Sequence, residues 1–407
     1  MDLGFYRQNA RWLGTGYGLA LTSSFGQTFF LALFAGEVMA AHGITDGTWG
    51  TLYTAATLTS AFCLVQVGKL VDTVPIARVA AVVLVIYALA AVGMAASTSL
   101  WLLLPVVGAL RFCGQGMMSH LAMTSMARWF AARRGQAVAF AGLGFSTGEA
   151  LIPILAVAAA GFLGWRGVWL MAAAILLCLC LPVFLWLLNE RRIPQGTLDA
   201  AEGAGMGGRH WTRGEVLRFW AFWAMIPGLL APGFIGTVAF FHLAHVSAVK
   251  GWPIAEMTLG YPAYAGLTVL TSFAMGAVLD RVGALRLLPV YLLPMGAGIA
   301  LLDISGEIWS WYAMLALFGV TQGGAIAVMG ALWAELYGTR HLGAVRALGI
   351  SVMVVSTAIG PGVTGLLIDA GIPFPDQGVA MGLWCVLASV TFASIAQRLR
   401  AQRAAFS

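Results

Sequence analysis

Gly276-Ala277-Val278-Leu279-Asp280-Arg281-Val282-Gly283-Ala284-Leu285-Arg286 is a short polar turn set between two long apolar runs. Moving back 208 residues gives Gly68-Lys69-Leu70-Val71-Asp72-Thr73-Val74-Pro75-Ile76-Ala77-Arg78, in which the glycine, the aspartate and the final arginine recur in register. The same offset carries Tyr53 onto Tyr261, Gly116 onto Gly324, Gly135 onto Gly343 and Pro153 onto Pro361. One offset that holds from Tyr53 to Pro153 marks an internal repeat. Apolar segments repeated in parallel are a plan of membrane carriers, with the binding site near the bilayer midplane.

Composition fixes the solvent. Of 407 residues, 60% are hydrophobic and 9% charged, and the mean hydropathy is +0.88. A soluble domain carries about a quarter charged residues to keep its surface wet; this chain needs lipid around it. Apolar runs between polar turns predict twelve transmembrane helices in an all-α membrane protein. Helices α1 to α6 are expected over 13–36, 49–71, 77–97, 101–127, 136–160 and 165–188. Helices α7 to α12 are expected over 218–245, 255–279, 285–304, 308–335, 344–369 and 378–397. The expected organisation is therefore two six-helix bundles, 1–188 and 218–407, joined by a charged, Gly/Pro-bearing linker over 189–217.

Orientation follows from the basic residues, which collect on the cytoplasmic side. All but three of the 22 Lys and Arg fall at the termini, in the linker, or at the turns after the even helices; the exceptions are Arg111, Arg166 and Lys250. Both termini and the linker are expected in the cytoplasm, and the formal charge of +6 reports topology, with no nucleic-acid partner implied. Cys63, Cys113, Cys178, Cys180 and Cys385 all lie in apolar runs and read as small packing residues. The composition and short loops fit a bacterial inner membrane and a monomer.

The two polar turns resemble the hallmark of the major facilitator superfamily, Gly-x-x-x-Asp-Arg-x-Gly-x-x-Arg. The second half matches at Gly276, Asp280, Arg281, Gly283 and Arg286; the first keeps Gly68, Asp72 and Arg78 but has Thr73 and Pro75 in place of Arg and Gly. The resemblance implies a secondary carrier that works by alternating access. It makes Asp72, Arg78, Asp280, Arg281 and Arg286 gating residues at the cytoplasmic ends of their helices. It also places α1, α4, α7 and α10 around a central cavity, which nominates Gln27, Arg111, Gln115 and Gln322 as cavity residues, with Tyr53 and Tyr261 as the repeat-related aromatics of α2 and α8. Arg111-Phe112-Cys113-Gly114-Gln115-Gly116 resembles an α4 signature of many facilitators, with one residue more between the arginine and the Gln-Gly pair.

Ionisable residues inside a membrane default to functional hypotheses. Arg111 lies about 17 residues above Arg128 and Glu149 about 14 above Gly135, or roughly 25 and 21 Å at 1.5 Å per residue. Both heights fall just past the midplane of a core about 30 Å thick, so an Arg111–Glu149 pair or near-pair is expected. Such a pair is either a static strut or a switch in which Glu149 takes a proton or Arg111 takes an anion. Pro227 and Pro232, both within α7, are expected to break or kink it and make it a gate.

A second chemistry is open. His120 and Met123 lie along one side of α4, and His242 and His245 follow at i, i+3 near the end of α7. Methionine and histidine in a membrane suit soft Cu(I). The chain loosely resembles bacterial facilitators that import copper for cytochrome oxidase assembly, marked by Met-x-x-x-Met on α7 and His-x-x-x-Met on α8. Met225 and Met257 match half of each, with Leu229 and Pro253 at the partner positions. The leading expectation is an organic anion such as a carboxylate, drawn to Arg111, as in the monocarboxylate- and oxalate-type facilitators the chain resembles. A non-transporting receptor is a third reading. No phosphate-binding loop or metal-protease pair occurs in the spans, so no enzyme, no cofactor and no ATP site is expected.

Overall fold

A computed structural model describes residues 3–130, 133–190 and 204–405, with the side chains of Leu3, Asp72 and 402–405 outside the description. The regular structure among the described residues is all helical, with no strand. Nine helices among them are long and apolar enough to cross a membrane, and the bent pair Ala10–Leu33 and Ala35–His42 supplies a tenth. The longest, Arg134–Leu187, is broken at Gly164 (φ 64°, ψ 168°), a left-handed conformation that glycine adopts without a Cβ clash; it holds both α5 and α6. The short apolar helix Leu293–Ile304 is α9. With the two arms of Arg134–Leu187 and the short Leu293–Ile304 counted separately, twelve apolar helical segments among the described residues correspond to the twelve expected spans.

By contacts the chain divides into two units. The first comprises Met1–Leu198 together with Phe241–His245, and the second Asp199–Phe240 with Val246–Ser407. The boundary falls within the expected linker, of which 191–203 lies outside the described residues. Beyond them the linker is ordered: Arg213–Arg218 is a helix started by a Thr212–Glu215 capping box, and Trp211 donates its backbone N–H to Tyr337 O at 2.9 Å.

Lipid-facing surfaces carry the apolar side chains, so Leu89, Leu155 and Leu387 are exposed, while Trp101, Phe162 and Trp186 stand out near helix ends, where aromatic residues anchor at the interface. Inside each unit, helices meet through small residues that let backbones approach. In the second unit Gly319 and Gly323 of α10 lie against the Tyr264 and Thr268 carbonyls of α8. In the first, Gly144 of α5 lies against Tyr17 O of α1, and Gly114 of α4 against Gly26.

Three helices depart from regular geometry. α1 runs Ala10–Thr22, tightens into a 3₁₀ turn at Ser23–Gly26, becomes extended at Gln27 (φ −78°, ψ 157°) and resumes as Thr28–Leu33. α4 consists of Leu100–Arg111, a π-helical segment Phe112–Met118, and Ser119–Trp129; α6 contains a second π segment, Ile175–Cys180. The break expected in α7 is absent. Helix Trp220–Phe241 runs through Pro227 and Pro232, and neighbouring helices bond its backbone: Trp384 Nε1 donates to Pro227 O at 3.1 Å and Ser356 Oγ to Leu230 O. Interruption comes instead at His242, ahead of Leu243–Lys250.

A Cβ at Gly26 would meet Leu110 O, Gly114 Cα and Tyr87 Oη, whereas one at Gly142 of α5 meets nothing within 4 Å. Gly26→Ala should destabilise the purified protein by about 1–3 kcal/mol, the usual cost of overpacking, and Gly142→Ala should be neutral or stabilising by up to about 1 kcal/mol. Thermal unfolding in detergent reads both, and equal midpoints for the two variants would refute the tight α1–α4 crossing.

Candidate functional site

Where α1 opens, its backbone needs partners. Hydrocarbon offers no water, so each freed carbonyl must be bonded by protein. Tyr87 Oη donates to Ser23 O at 3.2 Å, and Arg111 Nη1 donates to Gly26 O at 3.0 Å and to Thr28 Oγ1 at 3.3 Å. Thr28 Oγ1 is also 2.7 Å from Tyr53 Oη, and the Tyr53 ring lies 4.9 Å from the guanidinium carbon, a cation–π contact. Arg111 is 1% exposed. Among the described residues its Nε and Nη2 have no hydrogen-bond partner.

Among the described residues no direct ion pair joins Arg111 to Glu149. Arg111 spends one edge on the carbonyl and hydroxyl at the α1 break, and among the described residues the half-buried Glu149 carboxylate has no hydrogen bond or ion pair. The depth estimate assumed regular helices; the break in α1 supplies a nearer acceptor, and the π segment that starts beside Arg111 changes the register of α4. Glu149 nevertheless belongs to the same region, because the adjacent Gly148 lies against Ser24 of the 3₁₀ turn. The first unit thus holds a buried cation lacking an anionic partner and an unpaired carboxylate, both beside an interrupted helix. A guanidinium with one planar edge free presents parallel N–H donors, the geometry that takes a carboxylate bidentately.

The remaining polar candidates divide. Gln27 lies at the break, with Nε2 3.4 Å from Ser23 Oγ. Gln115 lies within the π segment, half-buried, with Oε1 unpartnered. Tyr261 is fully buried against Phe240, and Gln322 is half-buried in α10. The 208-residue offset puts Gly319 opposite Arg111 and Thr357 opposite Glu149. The charges belong to one half only.

At the gating turns, Arg78 is exposed and lines a cavity of about 470 Å³ with Thr73, Pro75, Arg128, Trp129 and Glu190. Arg128 Nη1 donates to Val71 O at 3.0 Å, tying α4 to the turn after α2; the Asp72 side chain lies outside the description. In the second half Asp280 and Arg281 end α8, and Arg286 lies in the short helix Ala284–Leu287 beyond Gly283. All three are exposed. The sequence reading missed Glu335, whose carboxylate accepts the Ala284 N–H at 2.7 Å.

The histidines expected as copper ligands have other partners. His120 Nε2 lies 3.3 Å from Gly68 O, and Thr124 Oγ1 lies 3.4 Å from His120 Nδ1, so both ring nitrogens are engaged between α2 and α4. His242 and His245 face Asp46, their Nδ1 atoms 3.8 and 3.3 Å from its two oxygens. Asp46 went unnoticed in the sequence, although Thr45 before it caps α2. Met225 and Met257 are fully buried, and Met123 is half-buried one turn from His120. Among the described residues no group of three or more His, Cys, Asp or Glu could hold a metal ion.

Comparison with known proteins agrees with this architecture. A family model described as Major Facilitator Superfamily matches residues 16–271 and 250–405. Crystal structures of a bacterial homolog to the human lysosomal transporter Spinster, inward-facing and either unoccupied or occupied, superpose with a TM-score of 0.69. Each shares 16% identity and covers 98% of this chain and 96% of that one, a likeness of fold. No curated protein matches the sequence.

Thr28 connects Arg111 to Tyr53, so the three should act as a unit. Tyr53→Phe and Thr28→Ala should each lower stability by about 1 kcal/mol, and the double variant should cost less than their sum. A double-mutant cycle in thermal unfolding checks this; strict additivity would show that the hydroxyl pair is not coupled.

Proposed function

The chain belongs to the major facilitator superfamily, and from that premise we propose that this secondary transporter carries a small organic anion, a carboxylate foremost. The observation that supports this is the Arg111 guanidinium, buried in the first unit with Nε and Nη2 unpartnered. A buried charge without a counter-charge is costly by several kcal/mol. The fold keeps it, and a carboxylate laid on its free edge would supply both the missing charge and the missing acceptors. Glu149, unpaired beside the α1 break, is the proton acceptor of a symport cycle: charging it inside the membrane is unfavourable, and protonation relieves that cost without a salt-bridge partner.

The gating turns at Asp72, Arg78, Asp280, Arg281 and Arg286 alternate the two faces of the carrier. The asymmetry of Lys and Arg favours cytoplasmic termini, and the apolar composition with short loops favours a bacterial inner membrane. Copper import has less support, because His120, His242 and His245 bond protein groups.

Proteoliposomes loaded with a range of unlabelled carboxylates should take up radiolabelled butyrate by counterflow. Arg111→Gln should reduce uptake at least ~10-fold, about 1.4 kcal/mol of lost anion stabilisation. Glu149→Gln should exchange butyrate across the membrane yet fail to concentrate it on an imposed pH gradient. Wild-type rates in Arg111→Gln would remove the anion site, and pH-driven accumulation in Glu149→Gln would remove the proton role.

A further inference from the structure

Arg111 is not the only polar group on its helix left without a partner. Gln115 Oε1 and Ser119 Oγ, on the same helix, are also buried with no hydrogen bond. These three residues are spaced by four, and a four-residue step returns to within about 40° of its start in an α-helix. The wider π turn shifts that return the other way. Each residue therefore follows the last along one side of α4, at about 6 Å per step. Unpartnered buried polar atoms are rare in native proteins and ask for an explanation. A run of three, one of them charged, is accounted for by a ligand with two polar ends.

We infer that the anion recognised at Arg111 carries a neutral hydroxyl up to about 6 Å from its carboxylate, which bonds the Gln115 amide one step along α4. This deepens the carboxylate reading and rests on it. A hydroxyl both donates and accepts, so it satisfies either orientation of the Gln115 amide. The class is a linear hydroxycarboxylate with a terminal hydroxyl on a chain of about four carbons, since an extended chain of that length spans one helical step. The π segment Phe112–Met118 supplies no cation of its own for a second carboxylate, and Arg111 is already engaged by the first. The thioether and alkyl neighbours Met117, Met118 and Leu121 are fully buried along the same stretch.

Thermal unfolding of the full-length protein against concentration series of butyrate, 4-hydroxybutyrate and succinate tests the inference, because a ligand stabilises in proportion to its occupancy. In the wild type, 4-hydroxybutyrate should reach a given shift at about one-tenth the concentration of butyrate, the effect of one well-made buried hydrogen bond, and succinate should be weakest. Gln115→Leu should bring the two monocarboxylates together; if that variant does not purify, Gln115→Met serves. Equal responses to butyrate and 4-hydroxybutyrate in the wild type, an advantage that survives in Gln115→Leu, or preference for succinate would overturn the hydroxyl while leaving the carboxylate site standing. No response to any of the three would remove the carboxylate reading and this inference together.

Discussion

An interrupted helix inside hydrocarbon sets the terms for the rest of the first unit. Opening α1 at Ser23–Gly26 frees carbonyls where no water can reach them. Tyr87 and Arg111 bond those carbonyls. Once a guanidinium is committed to that position, the structure must tolerate a buried cation, and the surrounding residues reflect it. Tyr53 stacks over it, Thr28 bridges the two, and Gly26 and Gly114 let α1 and α4 approach closely enough for the bond to form. A hydrogen bond to a charged donor is worth roughly 1.5–3 kcal/mol, less than the several kcal/mol needed to desolvate the ion. Backbone capping alone does not justify an arginine there; a neutral donor would cap as well.

The two halves share a plan and differ in charge. The 208-residue repeat sets both frameworks, with matching glycines, a matching proline at Pro153 and Pro361, and matching aspartates at the polar turns. Gly319 and Thr357 stand where the first half has Arg111 and Glu149. At Gly319 the second unit uses the position for close approach of α10 to the Tyr264 carbonyl, which an arginine would forbid. Chemistry was added to one copy of a common scaffold, at a position where the other copy needs space.

Much of this was legible in the sequence, and the limits are physical. Span positions follow from hydropathy because the bilayer imposes one length on every helix. Arg111 and Glu149 stood out because charge in such runs is rare. Their pairing was not legible: it depended on regular helices, and neither the turn at Ser23–Gly26 nor the π segment Phe112–Met118 has a composition that distinguishes it from helix. The expected break at Pro227 and Pro232 failed for the converse reason. The proline signal is legible, yet Trp220–Phe241 stays continuous through both, and Trp384 and Ser356, remote in sequence, bond other carbonyls of the same helix. Asp46 escaped because it reads as an ordinary first-turn acid, and only folding brings it to His242 and His245.

Strut and switch, the two roles open for a buried charge, are not alternatives at Arg111. One nitrogen holds the α1 carbonyl, and the other edge is bare. On the proposed reading an anion would bind that bare edge and draw charge density away from the Gly26 bond, which the same planar group shares. The helix break is the element least able to hold its geometry alone, since Gln27 is extended and its side chain makes only a 3.4 Å contact to Ser23. A ligand that weakens the Arg111–Gly26 bond therefore acts on the most deformable point of α1. Gly148, next to Glu149, packs against Ser24 of the same turn, so a change of charge at Glu149 bears on that point from the other side. Substrate and proton would then be coupled through the backbone of one broken helix, with no ion pair between Arg111 and Glu149 required.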